Sequence, residues 1–287
     1  MYRFSIMRTR ISFKSNTNIP DIKRRRSNQY IYPMDFNFPD ISLLITHYNR
    51  SSSLERLLNS FEKLNCSFGN IVVSDDASNA AHIDKILALK SRFNFQLVLA
   101  DQNKGLGNNI NKGQEIVRTA YTLYVQEDFI PLPLFPEKLM IALEYMVKRK
   151  DIDMVRFYSY RKYPYLKPLA NGFSLMQFSP FSRGYEKFYY YSDHPHLRRS
   201  GFLQKFGRYE EGIRSDVTEY RMMLSFLRKK GKALYYDGYQ SLFEQKNSED
   251  EPSTVKRNDL RQTNNFLIRN IRHLYRFIKF NFNYFRP

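Results

Sequence analysis

The sequence predicts an α/β domain with a mostly parallel central sheet flanked by helices. Three observations support this prediction: short apolar runs typical of buried strands, segments of helical periodicity between them, and polar loops that follow the runs. Strands that alternate with helices form parallel sheets with right-handed crossovers, and ligands bind beyond the carboxyl ends of such strands. The loops after the strands are therefore the expected place for a functional site.

The first half of the chain repeats a strand-and-helix pattern. Apolar and β-branched residues run together in four predicted strands, over residues 41–46, 70–74, 95–100 and 121–125. Helical spacing of apolar residues follows the first three strands, over residues 54–61, 82–89 and 109–120. This order predicts that the first half of the domain forms a parallel sheet.

The second half is less regular. It contains a predicted helix over 136–150, a strand over 154–160, a helix over 219–230 and a final strand over 233–236. Gly231 is the expected C-terminal cap of the helix that begins at 219, because glycine adopts the left-handed conformation that often ends a helix. The aromatic stretch over 173–191 fits no single pattern.

Composition bounds the number of domains. The chain has 287 residues, of which 42% are hydrophobic and 16% aromatic, enough apolar surface for a folded protein. We predict one domain over 39–245, between a basic arm over 1–38 and a basic aromatic tail over 246–287.

The net charge and the cysteine content indicate the class of partner and the redox environment of the protein. The net charge of +18 favours anionic partners such as phosphates, nucleic acids or acidic lipids, although a generally basic surface would give the same number. Cys66 is the only cysteine of the sequence, which excludes an intrachain disulfide and fits a reducing cytoplasm. Because no apolar run reaches the length of a membrane span, any membrane contact is expected to be peripheral.

Polar residues that can bind a nucleoside diphosphate follow the predicted strands. Thr-His-Tyr-Asn-Arg occupies 46–50, Asp-Asp-Ala-Ser occupies 75–78, a glycine-containing loop covers 103–109, and Glu-Asp occupies 127–128. A nucleotide site needs an aromatic face for the base, an acceptor for base or ribose donors, and carboxylate that holds a hard cation at the phosphates. Taken singly, Asp75 and Ser78 are equally consistent with turn formation or helix capping.

These motifs resemble those of glycosyltransferase family 2, and the resemblance covers about residues 40–245. It implies a GT-A-type fold that uses a nucleotide-sugar donor with Mg²⁺ or Mn²⁺. By position, Thr46 and Tyr48 match the family's uridine-contacting residues, Asp76 its uracil or ribose contact, and Asp128 its metal ligand. Glu127 replaces the more usual first Asp of the acidic pair. Predicted nucleotide-binding residues are Thr46, Tyr48, Arg50, Asp76, Asn103, Gly105, Asn109 and Glu127.

The second half of the chain resembles the family's acceptor region. Residues 197–210 are similar to the stretch before the family's catalytic Glu-Asp, and Glu219 falls at the expected distance before Gly231. In the family this Glu-Asp supplies the general base, but here Tyr220 follows Glu219. The resemblance nominates Glu219 as the base, with Asp216 as the second candidate. A helix-start carboxylate that stabilises the helix dipole would produce the same sequence pattern at Glu219.

Two further segments carry alternative interpretations. His194 and His196 are candidates for contact with the acceptor or the diphosphate, and a polar turn would look the same. Over residues 266–287 the tail contains no acid and alternates basic with aromatic residues. This pattern suits either a helix that lies on an anionic membrane surface or a last helix packed on the domain.

The sequence and the resemblance together predict an inverting transferase that moves a sugar, most simply from a UDP-sugar, to a glycan or lipid-linked acceptor. The expected setting is surface polysaccharide or lipopolysaccharide biosynthesis in the cytoplasm, at the inner face of the membrane. Two alternatives remain at this point: an inactive nucleotide-sugar-binding domain, because the Asp after Glu219 is missing, and a basic nucleic-acid-binding protein. Nucleic acid is not an expected partner, because the sequence contains no known nucleic-acid-binding module.

Overall fold

A computed structural model of the protein describes residues 35–247, residue 251 and residues 266–286. Nearly all of the predicted arm over 1–38, and much of the predicted tail over 246–287, lie outside these residues. The predicted division into arm, domain and tail therefore stays a prediction.

Eleven strands and seven α-helices are found among the described residues. The strands are β1 (Phe36–His47), β2 (Cys66–Asp75), β3 (Gln96–Val98), β4 (Tyr121–Gln126), β5 (Phe129–Pro131), β6 (Met154–Arg156), β7 (Leu166–Pro168), β8 (Phe173–Met176), β9 (His196–Arg199), β10 (Ala233–Tyr236) and β11 (Phe243–Gln245). The helices are α1 (Ser51–Lys63), α2 (Ala80–Phe93), α3 (Gly105–Ile116), α4 (Phe135–Lys148), α5 (Phe202–Phe206), α6 (Ser215–Arg228) and α7 (Phe266–Phe285), with a short 3-10 helix at Glu186–Phe188.

Nine of these strands form one sheet in the order β3-β2-β1-β4-β9-β6-β10-β8-β7, and β5 pairs with β11 separately. Strands β1 to β4 are parallel, as are β6 and β10, whereas β9 is antiparallel to both of its neighbours. All strands of the large sheet except β8 and β9 point in the same direction. The predicted mostly parallel α/β architecture is confirmed.

Helices cover both faces of the sheet because its central strands are apolar on both sides. In β1, Leu43 and Ile45 belong to the core under α1 and α4, and Leu44 faces the opposite core with α3 and α6. Successive side chains of a strand alternate between faces, so a continuous apolar run is the expected sequence of such a strand. The predicted stripe of α1, which includes Leu54, Leu57 and Phe61, is buried.

Several predicted boundaries are wrong, for local physical reasons. Strand β2 begins at Cys66 instead of residue 70, since its first residues pair with β1 before a register shift. Gly69 lies at that shift, where a β-carbon would come within 2.0 Å of the Pro39 carbonyl oxygen. Helix α3 begins at Gly105 rather than at 109, and the strand predicted over 154–160 ends at Arg156.

The end of α6 also differs from the prediction. The helix runs over Ser215–Arg228, and Lys230, not Gly231, adopts the positive φ of 56° that terminates it. Gly231 serves packing instead, because a β-carbon there would lie 2.5 Å from the ring of Phe226. The predicted final strand over 233–236 is confirmed as β10.

Candidate active site

The loops that carry the predicted chemistry meet at one edge of the sheet. In the β1/β2 pairing His47 lies opposite Asp75, and in the β1/β4 pairing Thr46 lies opposite Gln126. Strand β3 ends in register with Ser74 of β2. Because these four strands are parallel and end together, the loops 47–50, 76–79, 99–104 and 127–128 all emerge at the same edge.

The end of β1 is held by buried hydrogen bonds. The Thr46 hydroxyl lies 3.0 Å from the Tyr124 hydroxyl, and the Thr46 side chain is buried. His47 Nδ1 donates to the Asp75 carboxylate at 2.7 Å, while His47 Nε2 accepts from the backbone N–H of Arg50 at 3.1 Å. These bonds fix the histidine tautomer and the path of the loop that carries Tyr48 and Arg50.

Asp76 fixes the glycine-containing loop to the end of β2. Its two carboxylate oxygens accept hydrogen bonds from the backbone N–H groups of Lys104 (2.9 Å) and Gly105 (2.8 Å). Gly105 has a φ of 81°, a conformation that favours glycine, and its N–H also lies 3.1 Å from the Asn103 side-chain oxygen. Asn109 is buried and donates to the His47 carbonyl oxygen at 3.1 Å. The protein's own hydrogen bonds thus hold the loop against the ends of β1 and β2.

The Glu127–Asp128 pair follows β4 and lies against Arg50. One guanidinium nitrogen of Arg50 is 3.4 Å from Glu127 Oε1 and 3.4 Å from Asp128 Oδ2. Gln245 donates to the same Asp128 oxygen at 2.8 Å, whereas Asp128 Oδ1 is buried without a hydrogen-bond partner in the structure. Burial, followed by repulsion from Asp128, raises the pKa of Glu127 to about 7.

A second acidic pair joins the loop before β9 to helix α6. The backbone N–H of Asp193 donates to Glu219 Oε1 at 3.1 Å. Burial raises the pKa of both carboxyl groups, and repulsion from Glu219 raises that of Asp193 further. The Tyr191 hydroxyl donates to Asp193 Oδ1 at 2.5 Å, but Asp193 Oδ2 is buried and has no hydrogen-bond partner among the described residues.

Buried tyrosines and Arg198 support this second pair from below. The Tyr191 hydroxyl contacts the Tyr209 hydroxyl, which accepts a hydrogen bond from Arg198 at 2.9 Å. Arg198 in turn donates to the Gln114 side-chain oxygen at 2.8 Å and is fully buried. These hydrogen bonds restrict the rotation of the Asp193 side chain and link its carboxylate to the positive charge of Arg198.

An aromatic cluster connects the two acidic pairs. Phe129 follows Asp128 directly, His194 follows Asp193 directly, and the centroids of these two rings are 5.9 Å apart. Tyr158 contacts both rings. The two acidic pairs therefore border one site, a proximity that the sequence alone does not reveal.

Comparison with known proteins identifies the family. The family model described as glycosyl transferase family 2 matches residues 42–210, more than half of the chain. The chain belongs to glycosyl transferase family 2. Both the predicted resemblance and the prediction of a glycosyltransferase enzyme are thereby confirmed. A search of curated proteins found no significant match.

Solved structures show the same fold. S. aureus TarS residues 1–349, in complex with UDP-GlcNAc, align with a TM-score of 0.56 at 15% identity, over 75% of this chain and 62% of that chain. The same TarS fragment in complex with UDP aligns with a TM-score of 0.52 at 16% identity, over 71% of this chain and 59% of that chain. The transferase thus spans less than two thirds of these structures. The likeness confirms the predicted GT-A-type fold.

The remaining predicted residues occupy different environments in this transferase. His194 packs against the rings of Tyr160 and Tyr158, and burial lowers its pKa to about 3. His196 is fully buried under β4, so the structure does not place it where a ligand would reach it. Asp216 is exposed and forms an ion pair with Arg214 at 2.9 Å. It projects from the first turn of α6.

Sequence reasoning missed several residues of the site. Tyr191 is the last residue of the aromatic stretch without a clear pattern, Asp193 lies just after it, and Arg156 Nε is buried with no hydrogen-bond partner among the described residues. Lys112 reaches the carbonyl oxygens of Asp75 (2.6 Å) and Val98 (3.0 Å), and burial lowers its pKa to about 8. No motif identifies these positions, because their contacts join segments that are distant in the chain.

The segment after β11 also contributes. The Glu251 carboxylate accepts from the backbone N–H groups of Ser52 and Ser53, both at 2.9 Å, and so caps the start of α1. Its carbonyl oxygen lies 3.2 Å from an Arg50 nitrogen, and the Asn247 side-chain oxygen lies 2.5 Å from the same nitrogen. Arg50 therefore joins the acidic pair to this segment.

Proposed function

We propose that this transferase moves a sugar from a UDP-sugar donor to a hydroxyl of a glycan or lipid-linked acceptor, with inversion at the anomeric carbon and with Mg²⁺ or Mn²⁺. One observation carries the proposal. The same site contains one acidic pair beside a guanidinium, at the strand ends, and a second pair whose carboxyl pKa values are raised. These are the groups that donor binding and proton removal require.

The donor is assigned to the edge formed by β1 to β4. Tyr48 is half-buried at the end of β1, where its ring is available to a nucleobase, and Arg50 offers a cation to the diphosphate. Asp76, Asn103 and Gly105 form the opposing loop. The proposed base is uracil because the chain belongs to a family that includes UDP-dependent members, and TarS, of the same fold, was solved with UDP.

The residues beside Asp128 fit a divalent cation. Mg²⁺ and Mn²⁺ bound with nucleotides take one or two protein carboxylates and complete their shell with phosphate and water. Asp128 Oδ1 is a buried carboxylate oxygen that has no partner in the described part of the chain, and Glu127 adjoins it. No cluster of three His, Cys, Asp or Glu side chains suited to a metal occurs among the described residues, as expected if the donor supplies ligands. The bound cation would neutralise charge on the leaving diphosphate.

Glu219 is the proposed general base, with Asp193 beside it, and Asp216, the second candidate for the base, is exposed and paired with Arg214. The acceptor oxygen attacks the anomeric carbon while the Glu219 carboxylate takes its proton, and the bond from that carbon to the diphosphate oxygen breaks. A single displacement of this kind inverts the anomeric centre. Burial raises the pKa of Glu219, which brings the base closer to neutral pH.

The pathway assignment rests on the family and on the basic character of the chain. A net charge of +18 brings the enzyme to anionic surfaces, where lipid-linked glycans are assembled. We place the enzyme in surface polysaccharide or lipopolysaccharide biosynthesis, in the cytoplasm at the inner face of the membrane.

Calorimetry of UDP binding tests this function. The parent protein should bind UDP only with Mn²⁺ or Mg²⁺ present, and UDP-sugars that bind should then be screened for UDP release. Failure to bind UDP, GDP or a deoxythymidine diphosphate under any metal condition would reject the donor assignment.

An inactive domain is a second candidate, favoured by the Tyr220 that stands where the family has Asp. Such a domain would bind a UDP-sugar with metal and release no UDP with any acceptor fraction. Measurable turnover that depends on Glu219 rules it out.

A further inference from the structure

Helix α7 packs on the domain by one face only. Phe280 contacts the ring of Tyr220 on α6, with centroids 4.9 Å apart, and Tyr284 contacts Phe178 at 5.2 Å. The Asn283 side chain donates to the Tyr220 hydroxyl at 2.9 Å. The predicted alternative of a last helix packed on the domain thus describes one side of α7.

The opposite face of α7 is an exposed apolar stripe. Its residues recur every three or four positions, which places them on one side of a helix. They are exposed by 45% to 69%, and we call them the α7 stripe: Ile268, Ile271, Leu274, Tyr275, Ile278, Phe282 and Phe285. Phe181, which is 86% exposed, contacts Phe285 and extends the apolar surface beyond the helix. A continuous apolar surface of this kind marks an interaction site.

Positive charge borders the stripe. Lys279 lies 5.5 Å from the centroid of the Tyr275 ring, and Arg286 lies 5.1 Å from that of Phe282. Arg272 falls on the same edge by helical spacing, and α7 contains no acidic residue. An apolar stripe with cations at its edge matches a surface that presents acyl chains beneath anionic headgroups.

We infer that the α7 stripe lies on an anionic lipid bilayer, with the helix parallel to the membrane plane. None of the described helices combines the length and hydropathy that a membrane span requires, so the proposed contact is with the surface. A second copy of this chain is the less suitable occupant, because it would bring two basic stripes of the same charge together.

The consequence concerns the acceptor. Tyr220, which holds α7, directly follows Glu219 in α6. A bilayer against the stripe would hold the membrane at the helix that packs on α6, the helix that carries the proposed base, so we expect a lipid-linked acceptor to be delivered to this part of the domain. This consequence rests on the proposed function, whereas docking itself does not.

Vesicle flotation of the whole chain tests the docking. Vesicles of phosphatidylcholine mixed with phosphatidylglycerol should carry the protein, vesicles of phosphatidylcholine alone should carry much less, and binding should fall as salt increases. The double variant Ile271→Asp and Ile278→Asp should lower the partition coefficient by about tenfold or more, because each side chain loses its burial among acyl chains. Lys279→Glu should lower it by about fivefold.

Matched controls on α2 separate the stripe from general basicity. Leu87→Asp removes an exposed apolar residue, and Lys85→Glu reverses an exposed charge, on a helix far along the chain from α7. Neither should alter flotation by more than a small amount. All variants should keep the parent's unfolding temperature and UDP affinity, so a failed donor assay and a failed docking assay remain distinguishable.

Three outcomes overturn the inference. Equal binding to neutral and anionic vesicles excludes the proposed charge recognition. Unchanged flotation of the double variant places membrane contact elsewhere in the chain. A dimer in sedimentation velocity that the double variant abolishes, without vesicle binding by the parent, makes a second copy the occupant of the stripe.

Discussion

The two acidic pairs of the site have the same chemical groups and opposite surroundings. Glu127 and Asp128 contact the Arg50 guanidinium directly, and Asp128 keeps one buried oxygen without a partner. Asp193 contacts the Tyr191 hydroxyl, Glu219 accepts from the backbone N–H of Asp193, and Tyr209 links Asp193 to the buried Arg198.

This difference separates cation binding from proton transfer. In the first pair a guanidinium nitrogen lies 3.4 Å from both carboxylates, an arrangement suited to a cation and a diphosphate. In the second pair hydrogen bonds hold the carboxylates and burial raises their pKa values, an arrangement suited to proton removal. The pKa of Glu127 is raised as well, so the two pairs differ in their contacts rather than in their protonation. We therefore assign donor binding to Glu127 and Asp128, and proton removal from the acceptor to Asp193 and Glu219. Each of the following substitutions tests one of these two assignments.

Glu219→Gln should give the largest effect. Loss of a general base typically costs about 10² to 10⁴-fold in turnover, so UDP release in the presence of acceptor should fall in that range. UDP affinity should not change, because Glu219 belongs to the acceptor side. Asp216→Asn, on the same helix and exposed, is the matched control and should leave turnover near the parent's value. The reverse ranking would move the base to Asp216.

Asp128→Asn should weaken donor binding instead. Removal of a charged metal ligand is expected to lower the affinity for UDP with Mn²⁺ by about 10 to 100-fold or more, with turnover falling in parallel. Calorimetry with and without Mn²⁺ measures this directly. Asp84→Asn, on the exposed surface of α2, serves as the control. A variant that binds UDP with undiminished metal dependence would show that Asp128 is not the ligand.

The pH dependence of kcat/KM tests the proposed roles of Asp193 and Glu219. Burial raises the pKa of Glu219 above the ordinary range of a carboxyl group, and the base acts deprotonated, so kcat/KM should fall as the pH drops through that raised pKa. Burial and repulsion from Glu219 raise the pKa of Asp193 to about 7, so Glu219→Gln should lower the Asp193 pKa measured by carboxyl NMR titration. An Asp193 pKa that stays in place, or that rises, contradicts the proposed coupling.

Thr46→Val should have the smallest effect, on stability rather than binding. The substitution removes one of two side-chain hydrogen bonds of the buried Tyr124 hydroxyl, the other being with Gln126, which costs about 0.5 to 1.5 kcal/mol in the free energy of unfolding. UDP affinity should be unchanged because the Thr46 side chain is buried against Tyr124. Denaturant unfolding and calorimetry measure the two quantities separately. A loss of UDP affinity without loss of stability would restore the contact that the sequence predicted.

The sequence predicted the donor side better than the acceptor side, and the reason is physical. Parallel strands end at a common edge, so polar residues directly after β1, β2 and β4 had to lie close together. Asp193 and Glu219 are 26 positions apart, and the bond between them depends on how the loop before β9 meets α6. No periodic pattern in the sequence predicts such a contact between two distant segments.

The prediction of the fold succeeded and failed for similar reasons. Strand β10 and the buried stripe of α1 were correct because their apolar residues follow one clear period. The start of β2 was missed because Cys66 to Gly69 alternate in burial at the sheet edge, and polar residues interrupt the apolar run. The packing of α7 on Tyr220 depends on tertiary contacts that helical periodicity alone leaves open.

The separate donor and acceptor roles of the two acidic pairs are best tested by calorimetry of UDP binding. The parent, Asp128→Asn and Glu219→Gln proteins are compared with and without Mn²⁺. We expect metal-dependent binding that Asp128→Asn loses and Glu219→Gln keeps. Equal loss in both variants, or retention in Asp128→Asn, would contradict the assignment of donor and acceptor roles to the two acidic pairs.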